Sequence, residues 1–241
     1  MDNTKRICLW SGPRNISTAL MYSFAQRSDT KVFDEPLYAY YLRHYPEAQK
    51  YHPGSEDILR VMENDGGKVV ASILTASEKP VLFYKHMIHH LLGLDKSFMH
   101  NTVNIILTRD PYEMLPSFDK VIPNPILNDV GYRLHLDLLN FFLENNISFT
   151  VIDSKQVLID PQKILKSLCG FAGIKFDKAM LSWQPQKRLE DGIWAKYWYN
   201  SVHNSSGFIK YKPKKSPFPS HLIPLLNECI PYYNELLKHA L

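Results

Sequence analysis

The chain has no apolar run approaching the ~18–20 residues of a membrane-spanning helix, and a transmembrane role is not expected. Cysteine is scarce: three in 241 residues, Cys8, Cys169 and Cys229, far apart and without a CxxC or zinc-type spacing. That pattern excludes a disulfide framework and reads as reduced thiols in a cytoplasmic protein. The four apolar residues Ile7–Trp10 after Lys5 and Arg6 are fewer than the ~7–15 of a secretory signal core. Internal repeats and Gly/Ser linker tracts are also missing, so the expectation is one domain over residues 1–241. Excess charge is modest, at +4. It favours an anionic ligand and falls short of a nucleic-acid-binding surface.

What is present is an alternation of apolar runs and helical patterns. Strands are expected at Arg6–Trp10, Lys31–Asp34, Pro80–Tyr84, Thr102–Thr108 and Phe149–Ile152. Helices are expected at Ser17–Gln26, Tyr132–Glu144, Pro161–Phe171 and from about Ser220 to His239. Continuous rather than alternating apolar strands imply a parallel sheet buried on both faces. The expected fold is therefore α/β, with a P-loop-type parallel sheet flanked by helices on both faces. Residues 187–219 are aromatic, basic and proline-bearing, and are expected to wrap over a site.

Two segments suit an anion. The first strand runs directly into Ser11-Gly12-Pro13-Arg14-Asn15-Ile16-Ser17-Thr18 and then a helix. Such a turn aims backbone N–H groups and a helix N-terminus at the carboxyl edge of the sheet, where both favour phosphate or sulfate. Arg14 adds a planar fork of donors, and Ser17 and Thr18 add hydroxyls. The Walker pattern GxxxxGK[ST] is not met, because Ser17-Thr18 stand where Gly-Lys belongs. The second segment is Arg109-Asp110-Pro111, closing the strongest strand, with Ser117 eight positions after Arg109. Its plain alternative is an ion pair of Arg109 with Asp110 or Glu113. Two anion sites at two strand ends suit a nucleotide with phosphates at two positions.

These segments resemble the sulfotransferases that use 3′-phosphoadenosine 5′-phosphosulfate (PAPS). Residues 13–18 are similar to that family's 5′-phosphosulfate loop, and Arg109-Asp110-Pro111 with Ser117 to its 3′-phosphate motif. The resemblance extends over residues 6–175. Beyond it, Asp34–Tyr38, Lys85-His86-Met87, His89-His90, Asp191–Trp194 and Ser205–Phe208 are similar to a divergent bacterial and plant branch. The resemblance implies PAPS as co-substrate, no metal, and a small-molecule acceptor bearing a hydroxyl or amine. It implies that Gly12, Pro13, Arg14, Asn15, Ile16, Ser17, Thr18, Arg109 and Ser117 hold the nucleotide. Ser206, Gly207 and Phe208 stand in for a Gly-rich segment that this chain lacks.

Sulfuryl transfer needs a stabilised leaving oxygen and a general base. Arg14 and the loop amides serve the first need, and Lys85 matches the Lys that precedes the family's catalytic His. For the base, His86 and Glu35 lead, with His89 and His90 as alternatives. His86 and His90 are also spaced i, i+4, as in a zinc helix, but Met87 stands where that motif has Glu. The alternatives to a sulfotransferase are a P-loop nucleotide or nucleoside kinase and a catalytically silent nucleotide-binding protein. The sequence leaves the oligomeric state open.

Overall fold

The computed structural model describes residues 4–213 and 216–241. Among these, five parallel strands form one sheet: β1 (Lys5–Ser11), β2 (Thr30–Asp34), β3 (Val81–Met87), β4 (Val103–Thr108) and β5 (Phe149–Asp153). Their spatial order is β2-β3-β1-β4-β5. The helices before β4 are α1 (Ser17–Phe24), α2 (Tyr38–His44), α3 (Ser55–Val61) and α4 (Gly66–Thr75). Those that follow it are α5 (Pro111–Phe118), α6 (Leu127–Val130), α7 (Tyr132–Glu144), α8 (Ser154–Ile159), α9 (Pro161–Phe171), α10 (Ala195–Trp198), α11 (Asn200–His203) and α12 (Ile223–Leu237).

Strand side chains alternate between the two faces of the sheet. On one face Ile7, Leu9, Phe83, Ile105 and Leu107 pack against Leu20 and Phe24 of α1 and Leu165 and Leu168 of α9. On the other, Cys8, Trp10, Tyr84 and Ile106 meet Val69 and Ile73 of α4, Leu138 and Phe142 of α7, and Leu236 of α12. Burial on both faces explains the unbroken apolar runs. Each such side chain contributes about 1.5–3 kcal/mol of transfer free energy.

From β1 the chain winds outward to the edge strand β2, returns to β3 beside β1, and crosses to β4 on β1's other side. The direction of winding reverses between β1 and β4. In open parallel sheets, ligands bind in the crevice outside the carboxyl ends of such a pair. That topology makes neighbours of two segments about 95 residues apart, the turn after β1 and Arg109 after β4.

Several boundaries differ from expectation. β3 does not stop at Tyr84 but continues through Lys85 and His86, which lie opposite Leu9 and Trp10 of β1. Both polar residues are fully buried and each has a partner surface, described below. α1 ends at Phe24, where the chain turns and Arg27 donates to Asp29 Oδ2 (2.8 Å) and to the Lys175 carbonyl (2.6 Å). A short 3-10 turn, Ser220–Leu222, precedes α12. Residues 35–80, where no element was expected, fold into α2, α3 and α4 beside the sheet. Of the basic run Lys212, Lys214 and Lys215, the last two lie outside the described residues. Among the described residues, no helix is long and apolar enough to cross a membrane.

Candidate functional site

A cavity of about 870 Å³ opens at the carboxyl edge of the sheet. The turn after β1, the ends of β2 and β3, Arg109 after β4 and the segment from Trp194 to Lys212 all reach it.

The turn is strained. Arg14 (φ 59°) and Ile16 (φ 62°) occupy the left-handed region without being glycine, at a cost of order 1–3 kcal/mol each. Proline is fixed near −65°, so right- and left-handed residues alternate here. Backbone of alternating hand curls its N–H groups into a concave nest suited to an anion. Ile16 thus takes the shape that glycine commonly supplies. It also caps α1 without any side-chain hydrogen bond, which leaves the first N–H groups of that helix uncommitted to a cap.

Neighbouring elements bolt the turn in place. Asn15 is buried and its Nδ2 donates to the Leu107 carbonyl (3.1 Å). The single Ser154 hydroxyl proton is shared between the Asn15 and Thr108 carbonyl oxygens, 3.0 and 2.8 Å from Oγ. Gly12 is closely packed: a Cβ would stand 3.2–3.3 Å from Asn15, His135 and the Val130 carbonyl, so those neighbours would have to give way by a few tenths of an ångström.

The two basic segments meet. Arg109 Nη1 donates to the Arg14 carbonyl (2.7 Å), and Arg14 Nε donates to Ser117 Oγ (3.2 Å). Both guanidinium groups line the cavity, whereas Ser117 stands behind Arg14 and steadies it. Partial burial and the Arg109 charge both pull the Arg14 pKa down. An anion held between the two cations relieves that repulsion. Arg109 also makes the expected ion pair with Glu113, at 3.7 Å, so the plain and the functional readings of this residue coexist.

The opposite wall is a buried charge cluster. Lys85 Nζ donates to Asp34 Oδ1 (2.9 Å), to Tyr199 Oη (2.6 Å) and to Glu35 Oε1. Those contacts use all three ammonium protons. Tyr199 Oη donates in turn to Asp34 and accepts from Trp194 Nε1 (3.1 Å), while the Gly192 N–H donates to Asp34 Oδ2 (2.9 Å). Asp34 thereby ties the C-terminal segment to the end of β2. Burial works against the Lys85 ammonium, but Asp34 and Glu35 outweigh it and hold its pKa well above the usual value. Burial raises the Glu35 pKa; Lys85 opposes that shift and Asp34 reinforces it. Glu35 is itself left-handed (φ 48°), pinned by its N–H donating to the Lys85 carbonyl (2.8 Å).

Strand alternation separates the expected bases. Lys85 shares the α1-side face of β3 with Phe83, and its end reaches the cavity. His86 points to the other face and does not line the cavity. It is fully buried and stacked on Trp10, with centroids 4.3 Å apart, and burial lowers its pKa to about 3. His86 is therefore placed as a core residue, not as a base. The i, i+4 zinc geometry also fails, because His86 belongs to a strand and only His90 to the 3-10 turn Ile88–Leu91. Among the described residues no group of three His, Cys, Asp or Glu is placed to hold a metal ion. His90 reaches the cavity, with Nε2 3.9 Å from Glu35 Oε2. His89 lines it too, its Nε2 within 2.8 Å of the Asn128 carbonyl oxygen. Gly207 and Phe208 line the cavity; Ser206 does not, and is exposed, its carbonyl accepting from the Trp183 N–H (3.0 Å).

Sequence reasoning passed over Asp34 and Tyr199 as site-building residues. The Asp-Glu pair at the end of β2 was the available signal for Asp34. Tyr199 was visible only as one ring of the aromatic C-terminal segment, and nothing in the sequence tied it to Lys85, 114 positions away.

The fold is an α/β parallel sheet with guanidinium groups on one side of a crevice at a winding reversal and a buried carboxylate on the other. The chain belongs to the sulfotransferase-domain family, whose profile matches residues 5–240. It is 38% identical over 232 residues to branched-chain-amino-acid aminotransferase-like protein 2 of Arabidopsis thaliana, and 39% identical over 235 residues to protein 1 of that name. The alignments cover 95% and 96% of this chain but 41% of each relative. The chain thus spans about two fifths of the length of these curated relatives. In fold it is similar to the sulfotransferase domain of the curacin biosynthetic pathway (TM-score 0.53, 18% identity, 93% of this chain and 97% of that one). It is likewise similar to a sulfotransferase from Alicyclobacillus acidocaldarius (TM-score 0.57, 12% identity, 98% and 96%).

Proposed function

We propose that this protein transfers a sulfuryl group from PAPS to a hydroxyl or amine of a small molecule. The observation that carries the reading is the meeting of Arg14 and Arg109 in one cavity whose other wall is Glu35. The cavity residues suit a doubly anionic nucleotide. The nest at Pro13–Ile16, the N-terminus of α1 and the hydroxyls of Ser17 and Thr18 fit the 5′ end. Arg109 fits a second anionic group, the 3′-phosphate that separates PAPS from ATP. Gly207 and Phe208 flank the same space.

In-line transfer builds negative charge on the leaving oxygen, and fixed donors stabilise that charge best when preorganised. Arg14 and the turn's amides act there, and the bolts through Asn15 and Ser154 keep them aimed. Glu35 accepts the acceptor's proton. Lys85 has its protons committed to Asp34, Glu35 and Tyr199. It therefore acts by holding Glu35 in place and favouring its ionised form. Trp194 and Tyr199, fastened to Asp34, close the cavity against water.

Incubating the protein with PAPS labelled in the sulfuryl group and a metabolite mixture tests this reading. Label should pass to an acceptor, and Glu35→Gln should abolish the transfer. Tight binding of the desulfated nucleotide with no transfer to any acceptor would instead make the chain a silent nucleotide-binding protein.

A further inference from the structure

Beyond Glu35 the cavity becomes aromatic. The rings of Tyr38, Tyr41, His52, His90 and Trp194 all line it. Tyr38 lies 4.9 Å from His90 and 5.0 Å from Trp194 between centroids. Tyr41 lies 5.2 Å from His90 and 5.8 Å from His52. The imidazoles there are uncharged at neutral pH: burial lowers His52 to about 4 and holds His90 well below its usual value. This wall carries ring faces and no free positive charge.

The charges of the cavity are segregated. Arg14, Arg109, Lys210 and Lys212 stand at the nucleotide end. Residues 210–212 are held beside Arg109 because Tyr211 Oη donates to Glu113 Oε1 (2.6 Å) and the Tyr211 N–H donates to the Leu158 carbonyl (3.2 Å). At the acceptor end the sole lining cation among the described residues is Lys85, and it is set against both Asp34 and Glu35. Asp129 lines the same end, close enough to Tyr41 and His89 for its charge to act on both. An anionic acceptor would meet these carboxylates with no cation to receive it. Aromatic faces bounded by carboxylates attract a cation instead.

We propose that the acceptor is a small cationic alcohol, its hydroxyl directed at Glu35 and its ammonium against the Tyr38–Tyr41–Trp194 wall. The inference rests on Glu35 being the proton acceptor of the proposed transfer, and it fixes the charge class of the molecule transferred to.

Calorimetric titration of the full chain tests it, with and without 3′-phosphoadenosine 5′-phosphate. The probes are choline, its uncharged isostere 3,3-dimethyl-1-butanol, and the anion hydroxypivalate. Choline should bind about tenfold or more tighter than the isostere, with hydroxypivalate weakest. Tyr41→Leu and Asp129→Asn should each narrow the choline advantage, while Lys50→Ala, outside the cavity, leaves it intact. Equal or tighter binding of the isostere or the anion overturns the proposal, as does failure of all three to bind at millimolar concentration. Labelled PAPS separates the two ideas. Turnover on a neutral or anionic acceptor in preference to a cationic one keeps the transferase reading and overturns this inference. Choline selectivity without turnover keeps the cation-binding wall but overturns the transferase reading, and with it the assignment of the cationic alcohol as acceptor.

Discussion

Replacing Lys85 with methionine probes the buried charge cluster directly. The Lys85 side chain is almost fully buried and its one positive charge is set against two carboxylates, Asp34 and Glu35, which are 9% and 6% exposed. Removing one partner of a buried pair leaves the other charge unpaired, at about 3–5 kcal/mol. For a chain of this size that lowers Tm by about 6–20 °C. The pH dependence has a definite sign. Without Lys85, burial holds the folded-state pKa of Glu35 above its unfolded value. Such a group costs nothing while protonated in both states, and costs progressively more as pH rises through the unfolded carboxylate range toward the folded pKa. The wild-type–variant gap in urea denaturation should therefore widen from pH 5 to pH 8. Asp34→Asn added to Lys85→Met should recover part of it at pH 8, by removing one of the stranded charges. A loss below about 1 kcal/mol, or a gap equal at both pH values, would mean that these carboxylates are neither buried nor ionised as described.

Arg109→Ala removes a charge-assisted contact and should weaken desulfated-nucleotide binding by about 1.5–3 kcal/mol, or about 10- to 150-fold in Kd. Unchanged affinity by calorimetry removes Arg109 from the nucleotide site. Arg14→Ala should lower kcat more than it weakens nucleotide binding, since a donor to the leaving oxygen matters most at the transition state; equal losses in steady-state kinetics and titration argue against that role. His86→Leu should change thermal stability while kcat stays within about threefold of wild type, whereas Glu35→Gln should abolish turnover and with it the acidic limb of the kcat/KM profile. Because burial raises the Glu35 pKa, that limb should rise at a pH above the ordinary glutamate range. A surviving limb in Glu35→Gln, or loss of activity in a folded His86→Leu, reverses the assignment.

The sheet was legible because its central strands carry continuous apolar runs, and that signature needs no knowledge of tertiary partners. The turn after β1 and Arg109 were legible because each sits at a strand end. Their contact became visible only with the strand order, which puts β4 next to β1 although β2 and β3 lie between them in sequence. His86 was misjudged for a specific reason. Lys85 and His86 look like polar residues past the end of a strand, yet β3 continues through them. A two-residue alternation then sends one into the cavity and the other under Trp10. The C-terminal segment was recognisable as a cover from its aromatic content. Its fastening to Asp34 through Tyr199 and Gly192 has no periodic signal and depends on contacts across more than 150 residues. Ile16 gives no sequence signal of a left-handed residue, since glycine is the usual choice there. The fold instead absorbs the strain and keeps the left-handed shape, with Ile16 packed against the core beside α1.

Calorimetric titration with 3′-phosphoadenosine 5′-phosphate, set against ADP with magnesium, tests the central claim most directly, because the two ligands share the adenosine and differ in where the phosphates sit. Arg14 assigned to the 5′ end and Arg109 to the 3′-phosphate of one nucleotide predict tight, magnesium-independent binding of the first and weak binding of the second. Preference for ADP with magnesium would contradict the account.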